Sequence, residues 1–196
     1  EIDFLSFSEL LATTGIPPGK PVDYRAFSQW FQRHRTGMPI KDGHMLHEEF
    51  NGVLTGCPVN APYLSRDAYM NLGVRRSIFA ARERPAVYDL FEKYLTFLQE
   101  DNRYNINMLA YERLPACEKR YDFVVVDEVQ DITNVQLMFI LRHLRTPANF
   151  LLSGDSNQIV HPNFFSWSNL KSMFYEQEEK GRARKRIMRI LVSNYR

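Results

Sequence analysis

Cysteine is scarce in this sequence. Only Cys57 and Cys117 occur among 196 residues, far apart and outside any CxxC pair. That excludes a disulfide scaffold and a cysteine zinc site, and it fits a reducing, intracellular compartment, cytoplasmic or nuclear. No apolar run approaches the ~18 residues of a membrane span, and the opening EIDFLSFSELL lacks the basic lead of a signal peptide. Secretion and membrane insertion are both disfavoured. Net charge is also small: 25 Lys+Arg against 23 Asp+Glu leaves +2. No global nucleic-acid field follows, although the six basic residues between Lys180 and Arg189 could make a local one. Repeats and low-complexity stretches are absent too.

What is present is a globular composition, 44% hydrophobic and 13% aromatic, in a chain long enough to bury a core. Three stretches differ in texture. Residues 1–22 hold a short apolar segment, 4–12, and then the turn GIPPGKP. Residues 23–118 look helical. AFSQWFQRH places Phe27, Trp30 and Phe31 at helical spacing, and HMLHEEFNGVL does the same with Leu46, Phe50 and Val53 or Leu54. AVYDLFEKYLTFLQE is the clearest amphipathic helix, with Val87, Leu90, Phe91, Tyr94, Leu95 and Leu98 on one stripe and Pro85 near its start.

From residue 119 the pattern becomes α/β. YDFVVV, 121–126, is a continuous apolar run ending in Asp127, as in a parallel strand covered on both faces. Thr133 and Gln136 can form a capping box for a helix over 135–144, which Pro147 closes. A second strand over 149–152 leads into Ser153-Gly154-Asp155. Strand, helix and strand in about 30 residues predicts a right-handed crossover. A third strand candidate, 187–192, precedes Ser193-Asn194-Tyr195-Arg196.

Ligands of open parallel sheets bind beyond the carboxyl ends of the strands. All three strand candidates finish in polar groups: Asp127-Glu128, Asp155 with Gln158, and Asn194 with Arg196. An apolar strand followed by two acids has the physical form of a Walker B site. The first carboxylate holds Mg²⁺, usually through water, because Mg²⁺ dehydrates reluctantly. The second can polarise an attacking water, and Gln158 and Arg196 could reach a γ-phosphate. A strand-end acid pair can also be a solvated helix cap, but the full string DEVQD argues against that. His44 and His47 sit one turn apart beside Glu48. Without a second ligand pair they do not make a zinc site.

Asp127-Glu128-Val129-Gln130-Asp131 resembles motif II, DExQD, of the UvrD/Rep-type superfamily 1 helicases. Gly154-Asp155-Ser156-Asn157-Gln158-Ile159 resembles motif III, with one residue fewer before the isoleucine. Leu191-Val192-Ser193-Asn194-Tyr195-Arg196 resembles motif IV, whose arginine senses the γ-phosphate. FLSFSEL, 4–10, is similar to the segment that touches single-stranded DNA, which puts Ser6, Phe7 and Ser8 in the contacting places. Within the helical stretch, LGVRR and YNINMLAYERL resemble eukaryotic helicase-like proteins with TPR and ankyrin repeats.

Several departures accompany the resemblance. The family's phosphate loop, GxxGxGK[ST], does not occur in these 196 residues. GIPPGKP is a decoy: three residues separate its glycines, Pro21 stands where a magnesium-binding hydroxyl belongs, and its prolines remove donors that a phosphate cradle needs. The acidic DFDDL stretch of the family reads Asn105-Ile106-Asn107-Met108-Leu109 here. HPNFFSW after motif III is longer than the usual aromatic link, so a base-stacking role falls on Phe164, Phe165 or Trp167; Trp167 is the best placed, and its alternative is a place in the core. The run KGRARKRIMR could contact phosphates or be a solvated turn.

The resemblance implies a partial P-loop NTPase (RecA-like) parallel sheet with a mainly helical inserted subdomain. Residues 1–22 would begin the motor with its single-strand contact, 23–118 would be the insertion, and 119–196 the α/β motor core. The implied activity is that of a fragment of an ATP-dependent DNA helicase. Its cofactors would be ATP and Mg²⁺, its partner single-stranded or partly duplex DNA, and the rest of the motor would lie outside this chain. Asp127 would hold the metal, Glu128 would be the base, and Gln158 and Arg196 would act on the phosphate. Gln130 and Asp155 would face the nucleotide, and Ser6, Phe7, Ser8 and Trp167 the nucleic acid. The alternative is a helicase-derived module that binds nucleic acid or protein without ATPase activity.

Overall fold

Pro85 opens the longest helix, where its missing N–H leaves no bond unmade. This helix and the elements around it are seen in a computed structural model that describes residues 2–17, 19–57 and 60–155. The first helix, α1, is Phe7–Ala12. A two-residue strand β1, Lys20–Pro21, leads into α2, Tyr24–His34, whose N-terminus is capped by Asp23 accepting from Ala26 N. Next come α3, Gly43–Glu48, and α4, Arg66–Met70. The long helix is α5, Arg84–Glu100, and strand β2, Arg103–Tyr104, pairs in parallel with β1. Helix α6 is Ile106–Glu112.

The core of this helical part is aromatic. Helix α5 buries Val87, Tyr88, Leu90, Phe91, Tyr94, Phe97 and Leu98, while Leu95 is only half-buried. Phe27, Trp30 and Phe31 of α2 are buried in the same cluster. Several ring pairs meet edge-on, a geometry that their quadrupoles favour: Phe50 lies 5.0 Å from Phe91 and Trp30 5.4 Å from Tyr94. Continuous burial of this kind orders the helices far more than their intrinsic propensity does.

The segment HMLHEEFNGVL departs from the single regular helix that its spacing predicts. After α3 the chain widens into a π-helical turn, Glu49–Leu54. Thr55 closes it, its N–H and hydroxyl both donating to Phe50 O at 3.0 and 2.8 Å. The widening accompanies an inward Glu49, which is wholly buried and reaches Tyr69, Ser77 and Ile78.

The α/β part is a strand β3, Val124–Val126, a helix α7, Asn134–Arg142, and a strand β4, Phe150–Leu152, parallel to β3 in the register Val126↔Leu152. The capping box read from Thr133 and Gln136 is present. Strand β3 is shorter than the run YDFVVV because its first residues pair elsewhere. Tyr121 bridges Leu144, and Arg145 N donates to Tyr121 O at 2.9 Å.

The expectation of a strand covered on both faces is not met. Val126 is buried, but Phe123, Val125 and Leu151 are 56%, 60% and 54% exposed. Side chains alternate across a strand, so one face of this pair is packed and the other is open. Among the described residues nothing covers the open face. No described helix is long and apolar enough to cross a membrane.

A candidate nucleotide site at the ends of two parallel strands

Parallel register brings two motifs to one edge. With Val126 opposite Leu152, Asp127-Glu128 and Ser153-Gly154-Asp155 leave the sheet at the same level. Backbone bonds stitch the two exits together: Ser153 N donates to Val126 O at 2.8 Å, and Val129 N to Ser153 O at 2.9 Å.

Glu128 makes the turn possible. It holds φ 49° and ψ 45°, a left-handed conformation that costs a non-glycine residue about 1–3 kcal/mol. The reversal sends Val129 and Gln130 inward, where both are buried, and leaves Asp127 and Glu128 exposed. A short 3-10 turn, Val129–Asp131, follows. Backbone strain of this kind clusters at active sites, ligand clamps and switch regions.

Gln130 is the joint. Its amide nitrogen donates to Glu128 Oε2 at 2.5 Å, and its amide oxygen accepts from Asp155 N at 3.2 Å. Gly154 leaves room for it: a Cβ there would press on Gln130 Oε1 and a methyl of Val129, so one of them would have to move. Asp127 Oδ1 accepts from Glu128 N at 3.0 Å, so the other carboxylate oxygen remains for a cation. An exposed carboxylate at a strand end suits a magnesium ion that keeps most of its water and takes its remaining ligands from phosphate. Among the described residues no cluster of three or more His, Cys, Asp or Glu could hold a metal by itself.

The helix behind the site is fixed through one buried amide. Asn107 lies in α6, and its oxygen accepts from Thr133 Oγ1 at 3.0 Å and Gln136 Nε2 at 2.8 Å. Its nitrogen donates to Asn51 O at 2.8 Å and Thr55 Oγ1 at 3.1 Å. All four hydrogen-bonding positions of the side chain are filled. Asn105 caps α6 through Asn107 N and Met108 N, and donates to Asn51 Oδ1 at 2.9 Å. The sequence comparison marked this stretch only as lost acids. An amide, which both donates and accepts, is what this position uses.

Two of the residues expected to touch single-stranded DNA, Ser6 and Phe7, also have local roles. Ser6 caps α1 in a reciprocal box with Glu9, and hydrogen bonding from Ser6 lowers the Glu9 pKa. Phe7 is half-buried and packs edge-on against Phe139 of α7 at 5.7 Å. Ser8 is exposed, and Phe4 is 92% exposed.

GIPPGKP has the wrong polarity for phosphate. Its Gly15 and Ile16 carbonyls accept from the Arg113 guanidinium at 2.5 and 2.6 Å, so acceptors rather than amides face the local charge. Gly19 has a positive φ of 79° and passes so close to Asn102 that a Cβ would collide with its carbonyl. In the histidine pair, His44 Nδ1 lies 3.2 Å from Glu48 Oε1. His47 Nε2 faces the Asn51 amide at 2.9 Å, and burial first, then the neighbouring His44, push its pKa down to about 4. Gln158, Phe164, Phe165, Trp167 and Arg196, the strand candidate 187–192 and the run 180–189 lie outside the described residues.

Comparison with known proteins bears on this geometry. TPR and ankyrin repeat-containing protein 1 of Homo sapiens is 28% identical over 120 residues, which is 57% of this chain and 4% of that protein. The chain thus corresponds to a small part of that relative's length. The family model for the UvrD/REP helicase N-terminal domain matches residues 74–180, just over half of the chain, and takes in both strand exits and the turn at Glu128. The chain belongs to the UvrD/REP helicase N-terminal domain family.

Proposed function

We propose that this chain is part of the first motor domain of an ATP-dependent DNA helicase or translocase, in which ATP hydrolysis drives steps along single-stranded DNA. The observation that carries this is the single amide of Gln130 tying Glu128 to Asp155 at the ends of two parallel strands. A helix cap needs no such tie. A site that must sense a phosphate on one motif and move another does.

In this proposal residues 119–196 are the α/β motor core of a P-loop NTPase, 23–118 its helical insertion, and 1–22 the start of the motor. Asp127 holds magnesium through water. Bound ATP–Mg²⁺ would supply the phosphoryl group to be transferred. Glu128 orients the attacking water and accepts its proton, as a positioned carboxylate can. Gln130 and Asp155 transmit the state of the phosphate site to the next strand, and Gln158 and Arg196 stabilise charge on the phosphate. Ser6, Phe7, Ser8 and Trp167 meet the single strand. Most phosphate-binding free energy in such sites comes from a loop of backbone amides and a lysine. The 196-residue chain contains no such loop pattern, so alone it should hydrolyse ATP negligibly.

The test uses the full-length parent. Glu128→Gln should leave nucleotide binding intact and lower hydrolysis by roughly 10²–10⁴-fold, the usual worth of a positioned general base. Asp127→Asn should weaken the magnesium-dependent part of nucleotide binding instead. Near-normal turnover by Glu128→Gln would remove the Walker B assignment and leave a binding module without ATPase activity.

A further inference from the structure

Ten consecutive residues, Gly73 to Arg82, read GVRRSIFAAR and contain three arginines and no acid. Arg75, Arg76 and Arg82 are all exposed, and among the described residues no carboxylate is paired with any of them. Beside them Val74, at the head of a short 3-10 turn, Val74–Arg76, is 91% exposed. Arg66, by contrast, is held by Asp89 and Glu92 at 2.7 and 3.0 Å. The nearest acid in sequence, Glu83, spends its carboxylate on Ala80 N at 3.1 Å.

This corner is held from inside by buried charge. The Arg84 guanidinium, 2% exposed, donates to the carbonyls of Met70, Leu72, Gly73 and Phe79 at 3.2, 2.6, 3.4 and 3.4 Å. Both ends of the corner therefore converge on one side chain. From the other side Glu49 accepts from the Ser77 hydroxyl and from Ile78 N at 2.9 Å. Burying a carboxylate and a guanidinium is expensive. Here the expense fixes a surface turn whose own side chains contribute little to the core.

We propose that Arg75, Arg76 and Arg82, with Val74 at the tip, form a nucleic-acid contact on the helical part that grips the phosphodiester backbone. Guanidinium forks match phosphate oxygens in pairs, and a fixed turn loses less entropy on binding than a loose tail. The choice of nucleic acid over an acidic protein rests on the helicase reading above, which puts that polyanion at hand. Three phosphate contacts predict a measurable salt signature, since each neutralised phosphate adds about 0.7–0.9 to the magnitude of the slope of log K against log salt.

The experiment is fluorescence anisotropy of the full 196-residue chain with a labelled 20-nucleotide single strand and a 20-base-pair duplex, across a salt series. The triple variant Arg75→Ala, Arg76→Ala, Arg82→Ala should lose affinity by tenfold or more at low salt, with the slope reduced by about 2 to 3. Its melting temperature should be unchanged, because all three side chains are exposed. The corresponding Lys variant should recover much of the binding, and it keeps the test decisive if the Ala variant folds poorly. Equal affinity and slope for wild type and the Ala variant would overturn the proposal, as would wild-type chain that binds neither DNA at low salt. Poly-glutamate competing as well as DNA at equal charge would also overturn it. None of these outcomes touches the Walker B assignment, which stands or falls on Glu128→Gln turnover in the parent.

Discussion

The side-chain amide of Gln130 donates to Glu128 Oε2 at 2.5 Å and, through its other end, accepts from Asp155 N at 3.2 Å. A neutral amide carries a donor and an acceptor on separate atoms, so it can serve a carboxylate acceptor and a backbone donor at once. Gln130→Ala in the parent should therefore reduce hydrolysis about 10–100-fold, the usual cost of losing a group that orients an active one, with nucleotide affinity kept. Gln130→Glu sets a second carboxylate against Glu128, and like charges raise a carboxyl pKa. The acidic limb of the pH–rate profile should move to higher pH. An unmoved profile and undiminished rate would show the Gln130–Glu128 bond to be incidental.

Gly154 tests the same joint from the other strand. Adding a methyl group would press on Gln130 Oε1 and on Val129, and overpacking of this kind costs about 1–3 kcal/mol. If the methyl acts by displacing the Gln130 amide, Gly154→Ala and Gln130→Ala should not add. A double-mutant cycle on hydrolysis would give a coupling of about 0.5–3 kcal/mol. Full additivity would place the effect of Gly154 elsewhere.

Asn107 carries a third expectation, about stability rather than turnover. Its 1% exposure and four filled hydrogen-bonding positions leave no tolerance for a change of polarity. Asn107→Asp keeps the shape but sets a carboxylate oxygen against the Asn51 carbonyl, losing two donated bonds. Each buried polar group left unpaired costs about 1–3 kcal/mol, so with two such groups chemical denaturation should show a loss on the order of 2–6 kcal/mol. The restored DFDDL-like acid would thus be worse here than the asparagine. A variant as stable as wild type would mean that the network is made by water as readily as by this side chain.

Local signals were legible in the sequence where the physics is local. Pro85 and a 3.6-residue apolar period mark α5, and Thr133 with Gln136 three residues on marks the start of α7. DEVQD after an apolar run, and Gly154-Asp155 after a second one, locate the strand exits that the parallel register then brings together. What stayed hidden spans long separations. Asn107 meets Thr133 across 26 positions and Glu49 meets Ser77 across 28, and no periodicity encodes such a pair. The open face of β3 and β4 was misread for a related reason. YDFVVV reports what the strand would bury if covered, and the cover must come from some other segment.

Glu49 gives the last expectation, a pH dependence of stability. Burial is the largest influence on its carboxyl and raises the pKa. Hydrogen bonds from Ser77, Tyr69 and Ile78 and the charge of Arg84 oppose it without prevailing. A carboxyl whose pKa is higher folded than unfolded binds its proton more tightly in the folded state. Stability therefore falls as pH rises from the unfolded value of about 4.3 through the raised folded value, and is flat above it. Glu49→Gln removes that proton. Its amide oxygen can accept from Ile78 N while its amide nitrogen donates to the Tyr69 and Ser77 hydroxyls, which can turn to receive it. Wild type should lose stability relative to Glu49→Gln as pH is raised across this window. Glu49→Ala, which leaves three donors and Arg84 facing a void, should be destabilised by about 3–5 kcal/mol, the scale for removing one partner from buried charge. Unfolding free energies of the three proteins measured from pH 4 to pH 8 decide the matter: a wild type that gains on Glu49→Gln with rising pH would show that hydrogen bonds and Arg84 outweigh burial at this carboxylate.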